Sequence, residues 1–116
     1  MLDVNIKEPR NGTAIVSLAG EFDISEVPDV EKKLKAVEKR RPDLLVLDLR
    51  ELTFMDSSGL RVVLEADLRS RRDARRFALI PGPEPVHRVF LIALLDKRLE
   101  FVEDPSLLEG AGEDEA

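Results

Sequence analysis

Asp56-Ser57-Ser58-Gly59 stands between an apolar run, Leu44 to Leu49, and a helix-patterned stretch that begins near Ser58. Two hydroxyls therefore fall at a helix N-terminus, where unpaired backbone N–H groups and the positive end of the dipole favour an added anion such as phosphate. Ser57 is the candidate phosphoacceptor. The plain structural alternative is that Ser57 or Ser58 caps the helix, which would stabilise it by about 1 kcal/mol, and capping and modification are not exclusive. A phosphate would add about -1.5 to -2 charges beside Asp56 and expel a partner that docks there through a carboxylate or an apolar group.

Catalysis needs more than a hydroxyl: a base and an orienting group must lie within reach of the nucleophile. The only histidine, His87, reads as a surface residue at the start of the third helix, with nothing in the sequence aiming it at the serines. Asp-Ser-Ser-Gly is not the Gly-x-Ser-x-Gly elbow of hydrolases, and Gly59 alone does not cradle a phosphate. Asp48, Glu51 and Asp56 could be assembled into a metal site, but carboxylates after a strand ordinarily face water or accept backbone N–H bonds. No metal and no cofactor is expected, and the chain reads as a substrate or a binder rather than an enzyme.

The elements that must position this segment follow from periodicity. Leu2 to Ile6 and Ala14 to Ala19 flank Asn11-Gly12, a strong turn pair, and read as an antiparallel hairpin. Ser25 is the expected N-cap of a first helix with Pro28 in its first turn and Val27, Val30, Leu34 and Val37 on one face. Pro42 closes that helix, and Leu44-Leu45-Val46-Leu47 is the continuous apolar run of a central parallel strand. Leu60, Val63, Leu64 and Leu68 mark the inner face of the second helix, and Phe77 to Ile80 the next strand. After Pro81-Gly82-Pro83 a third helix carries Val86, Val89, Phe90, Ala93 and Leu94 as its stripe. A strand from Leu99 to Val102 and a turn capped by Asp104 with Pro105 complete the pattern. The fold class is α/β: a mixed sheet opened by an N-terminal hairpin, with helices packed on it. One domain is expected over residues 1–109, followed by an acidic tail, 110–116, too poor in apolar surface to order.

Composition bounds the function. The chain has 116 residues and no cysteine, so disulfides, thiolate zinc and cysteine nucleophiles are excluded. Without a basic leader and apolar core at its start, or an apolar run near the roughly 20 residues that span a bilayer, it is expected to be cytoplasmic and not membrane-bound. The net charge of -6 opposes direct nucleic-acid binding. Arg69, Arg71, Arg72, Arg75 and Arg76 concentrate positive charge locally, either as the cationic end of a helix or as a docking surface for an acidic protein. No aromatic residue is interleaved among them to stack on bases.

The ordered set Gly20-Glu21-Phe22-Asp23, Leu47-Asp48-Leu49 leading through Phe54-Met55-Asp56-Ser57-Ser58-Gly59-Leu60, and Pro81-Gly82-Pro83 resembles a STAS domain of the bacterial anti-sigma factor antagonist type. The likeness runs from residue 4 to residue 108. It implies a partner-switching regulator of transcription, as in stress responses. The unmodified form would bind an anti-sigma factor that is itself an ATP-dependent serine kinase, and so free the sigma factor. Phosphorylation of Ser57 would end the complex, and a PP2C-like phosphatase would restore it. The implied docking surface is Asp23, Asp56, Ser58, Gly59 and Arg61. Arg61 and Asp73-Ala74 stand where relatives often have glycine, and Leu94-Leu95-Asp96 replaces a Thr-Gly-Leu-like turn. The resemblance leaves a second reading open: an accessory or scaffold subunit of a stressosome-like or lipid-transporter assembly, in which Ser57 would only cap.

Overall fold

Residues 1–10 and 12–103 are described in a computed structural model. Asn11, the expected turn at Asp104-Pro105 and the tail from Gly110 lie outside the described residues. The elements run β1 (Leu2–Arg10), β2 (Thr13–Phe22), a 3-10 turn (Ile24–Glu26), α1 (Val27–Glu38), β3 (Leu44–Met55), α2 (Ser57–Arg72), β4 (Arg76–Ile80) and α3 (Glu84–Ile92). The sheet order is β1-β2-β3-β4. β1 and β2 form the expected hairpin with Leu2 opposite Gly20, and β2, β3 and β4 are parallel.

The core follows from two periodicities meeting. Val30, Leu34 and Val37 of α1, Val62, Val63 and Ala66 of α2, and Val86 and Phe90 of α3 share one cluster with Leu45, Leu47 and Leu49 of β3. Strand alternation sends Leu44 and Val46 to the opposite face, where they join Ile15, Ala78 and Ile80. The helices therefore lie on one face, and β3 is buried on both, as its unbroken apolar run implies. Each fully buried Val, Leu or Phe stabilises the fold by about 1.5–3 kcal/mol relative to exposure.

Several expectations are corrected. β3 continues six residues beyond Leu49 because its pairing with β2 skips between Ser17 and Ala19 and again between Gly20 and Glu21. The two extra residues in β3 break strict alternation, so that Leu52 and Met55 both turn inward. In α2 the buried face is Gly59, Val62, Val63, Ala66, Asp67 and Ser70. Leu68 is exposed, while Leu60 and Leu64 border the core. Small residues let this helix sit close to the sheet, displacing the larger leucines to its margins. α1 stops at Glu38, short of Pro42, with Arg41 at φ 54. α3 stops at Ile92, leaving Ala93 and Leu94 outside the stripe, and Leu94 takes φ 59 with its side chain in solvent. Leu99 to Val102 contributes a single bridge, Leu79 to Phe101, with backbone bonds of 2.8 Å on either side, rather than a strand.

Candidate functional site

The site is built where the C-terminal ends of β2 and β3 turn into helices. The Phe22 carbonyl accepts the Asp56 N–H at 3.4 Å, which holds the Asp23 turn beside the start of α2. Gly59 permits this closeness: a Cβ there would lie 2.7 Å from Met55 Cγ and 3.0 Å from Phe22 Cδ2. Gly59 is buried, and its place in the site is to seat the helix start on the strand ends.

Asp56 is the N-cap of α2. Its extended backbone (φ -107°, ψ -172°) aims Oδ1 at the Ser58 and Gly59 N–H groups, 2.9 and 3.3 Å away. The expectation that a serine caps this helix is thereby corrected: the carboxylate one position earlier takes the amides, as an N-cap side chain does for N2 and N3. Ser57 is left as the first helical residue, exposed, with Ser58 half-buried behind it. Arg61, one turn further along the same helix, is exposed too.

Asp23 repeats the arrangement across the gap. Its Oδ1 accepts the Ser25 N–H at 3.0 Å and the Ser25 hydroxyl at 2.5 Å, capping the 3-10 turn. Ser25, expected as the cap of α1, lies inside that turn instead, and α1 begins after Glu26 without a side-chain cap. The Ser25 hydroxyl bond, with help from the Ser25 N–H, holds the Asp23 carboxyl below the usual carboxylate range despite opposing desolvation. Asp23 is thus ionised at neutral pH.

The other candidate groups are committed elsewhere. Asp48 is buried and held by Arg50 through Nη2 at 2.9 Å and Nε at 3.1 Å, while Asp56 serves amides, so the two carboxylates do not converge. His87 is corrected from a surface residue to a half-buried one: its ring meets Phe101 edge-on at 5.0 Å and lies 6.2 Å from Phe90. The arginine group is bound within the fold. Arg69 makes a two-pronged pair with Glu38 at 2.7 and 2.9 Å. Arg71 reaches Asp67 at 2.9 Å, Arg75 reaches Asp73 at 3.1 Å and Glu38 at 3.7 Å, Arg72 reaches Asp73 at 3.4 Å, and Arg76 pairs with Glu100. These contacts favour the helix-end reading over a waiting docking surface. No helix among the described residues is long and apolar enough to cross a membrane.

A mixed sheet with helices packed on one face is the arrangement that known proteins share with this chain. The family model described as "Mlab, STAS domain" matches residues 7–108, and the chain belongs to the STAS domain family. Among curated relatives, the Anti-sigma F factor antagonist of Paenibacillus polymyxa is 35% identical over 83 residues, 71% of each chain. Among solved structures, an anti-sigma factor antagonist from Mycobacterium paratuberculosis superposes with a TM-score of 0.84 at 23% identity, covering 96% of this chain and 93% of that one. SpoIIAA of Bacillus, solved in its phosphorylated form, superposes with a TM-score of 0.74 at 20% identity, covering 94% and 99%. The unphosphorylated form of SpoIIAA gives a TM-score of 0.80 at 20% identity, covering 96% and 97%.

Proposed function

We propose that this chain is an anti-sigma factor antagonist that works by partner switching. In its unmodified form it binds an anti-sigma factor serine kinase and frees the sigma factor; phosphorylation of Ser57 abolishes binding, and a PP2C-like phosphatase reverses the modification. The chain is a binder and a substrate in this scheme, not an enzyme, and it acts in the cytoplasm. The observation that carries the reading is the division of labour at the start of α2: Asp56 caps the helix, which leaves the exposed Ser57 hydroxyl without a capping task. The names of the relatives support the same reading, and SpoIIAA exists in both modification states.

Asp23, Asp56, Ser58, Gly59 and Arg61 shape the docking face in different ways. Asp23 offers an ionised carboxylate, Asp56 and Gly59 fix the helix start, Ser58 backs the acceptor, and Arg61 borders it one turn on. A phosphate on Ser57 would be tolerated by the free chain, because the helix N-terminus favours an anion. Its charge of about -1.5 to -2 beside Asp56 would instead penalise the desolvated complex. Turning a 1:99 equilibrium into 99:1 takes about 5.5 kcal/mol of discrimination, within reach of repulsion and lost burial acting together.

Incubation with the anti-sigma factor kinase and ATP should add one phosphate by intact mass, and Ser57→Ala should take up none. Unchanged uptake by Ser57→Ala would place the acceptor elsewhere. The accessory-subunit reading needs Ser57 only as a cap, a role that Asp56 already fills.

A further inference from the structure

A switch that expels a partner also needs something to hold it, and hydrogen-bonded carboxylates in water supply little net affinity. Two large apolar side chains stand in solvent beside the switch: Ile24 is 71% exposed and Phe54 47% exposed. Phe54 lies two residues before Asp56, while Ile24 lies two residues after Phe22, whose carbonyl holds the Asp56 N–H. Both therefore stand at the ends of the two adjacent strands, β2 and β3, that lead into the segment carrying Ser57.

We propose that Ile24 and Phe54 are the apolar anchors of the docking face, and that the partner opposite them is a protein surface with an apolar pocket and a cationic side chain set against Asp23. The assignment rests on the partner-switching reading and names the chemistry of the partner at that same site.

The backbone that carries each anchor is fixed before any partner arrives. Ile24 begins the 3-10 turn that the Asp23 cap fixes, and Phe54 is in β3, opposite Glu21 of β2. Backbone already fixed in the free protein need not be ordered on binding, and an aromatic ring is a favoured hot-spot group. β4 ends opposite Asp48, so the part of β3 that carries Phe54 projects past its neighbour on that side. Leaving a ring and a branched aliphatic chain in water at the ends of two adjacent strands brings no benefit to the free fold, and burying them against a partner does.

Charge selects the partner's polarity. Glu21, Glu51 and Asp23 line this end of the sheet, with Asp56 half-buried and Arg61 the cation on the first turns of α2. The N-terminal ammonium is shared between Glu21 at 3.4 Å and Glu26 at 3.8 Å. A surplus of carboxylates around two apolar anchors matches an apolar pocket with a basic rim. The anchors also explain how one phosphate suffices. A dianion on Ser57, three residues from Phe54 in the chain, would be carried into the desolvated complex, where burying charge is costly. The partner's cation does not offset this, because Asp23 already occupies it.

The test measures dissociation constants for each anti-sigma factor kinase encoded in the genome that carries this chain, purified singly, against the unsubstituted chain, Ile24→Ser, Phe54→Ser and the chain phosphorylated on Ser57. Both residues are exposed, so the variants should keep their melting temperature. The expected result is that each variant weakens binding by about tenfold or more and the phosphorylated chain does not bind. Binding of both variants within about twofold of the unsubstituted chain would overturn the anchor assignment; if the phosphorylated chain were still excluded, the switch itself would stand. Equal binding of the phosphorylated and unmodified chains would overturn the switch, whatever the anchors do. If no kinase bound the unsubstituted chain, both would fall.

Discussion

At the N-terminal end of α2 one carboxylate, Asp56, holds two amides while Ser57 and Arg61 stand in solvent. At the C-terminal end, about 24 Å away by helix geometry, Arg69, Arg71, Arg72, Arg75 and Arg76 are each paired with a carboxylate of the same chain. Cations belong at a helix C-terminus on dipole grounds, and here acids from α1, α2, its C-cap Asp73 and the segment after α3 also hold them in place. Charge is satisfied within the fold at one end and left open at the other. Abundant charge in a sequence thus marks stability as readily as function, and the open end is the one that a covalent change in charge could exploit.

Substitutions at the two ends should behave differently. The largest loss of stability is expected for Glu38→Ala, which strands Arg69 and leaves Arg75 with Asp73 alone. The two arginine side chains are 18% and 10% exposed, so the loss should be about 3 kcal/mol by denaturant titration, with partner binding retained. A loss below about 1 kcal/mol would mean that this network is no stronger than an ordinary surface pair. Asp56→Ala removes the cap at the other end and should lower stability by about 1 kcal/mol while also weakening the partner complex. Stability reduced with binding intact would make Asp56 a cap and nothing more. The smallest effect concerns Asp23. Because the Ser25 hydroxyl favours its ionised form, the cap is fully present above the ordinary carboxylate pKa and is lost as the pH falls through the lowered one. In Ser25→Ala the Asp23 carboxyl should titrate at higher pH by carbon NMR, and an unmoved titration would show that the hydroxyl is not the cause.

The hairpin, the central strand, the inner face of α1 and the β4 strand were legible because each rests on an uninterrupted signal: a turn pair, an apolar run or a clean helical period. The outer half of β3 was not, since its two bulges leave Leu52 and Met55 on one face three residues apart, a spacing that strand alternation does not predict. The caps were misassigned by one or two positions at α2 and by one at α1, because Asp, Ser and Asn compete as caps and sequence order does not rank them. Leu94 shows the reverse difficulty. Its side chain extends an apolar stripe, yet its backbone already sits in the left-handed region that ends α3. At the candidate site the place of Ser57 at a helix start was visible from the junction of an apolar run with a helix-patterned stretch. The apolar pair beside it was not, because exposure of Ile24 and Phe54 depends on where β4 stops and how Asp23 closes its turn.

The central claim is that the charge on Ser57 decides whether this face can be buried. Isothermal titration of the chain, unmodified and stoichiometrically phosphorylated on Ser57, against the proposed anti-sigma factor kinase tests it directly. The account predicts tight binding by the first and no measurable heat from the second, with Ser57→Ala binding like the unmodified chain. Equal affinity of the two forms would contradict it.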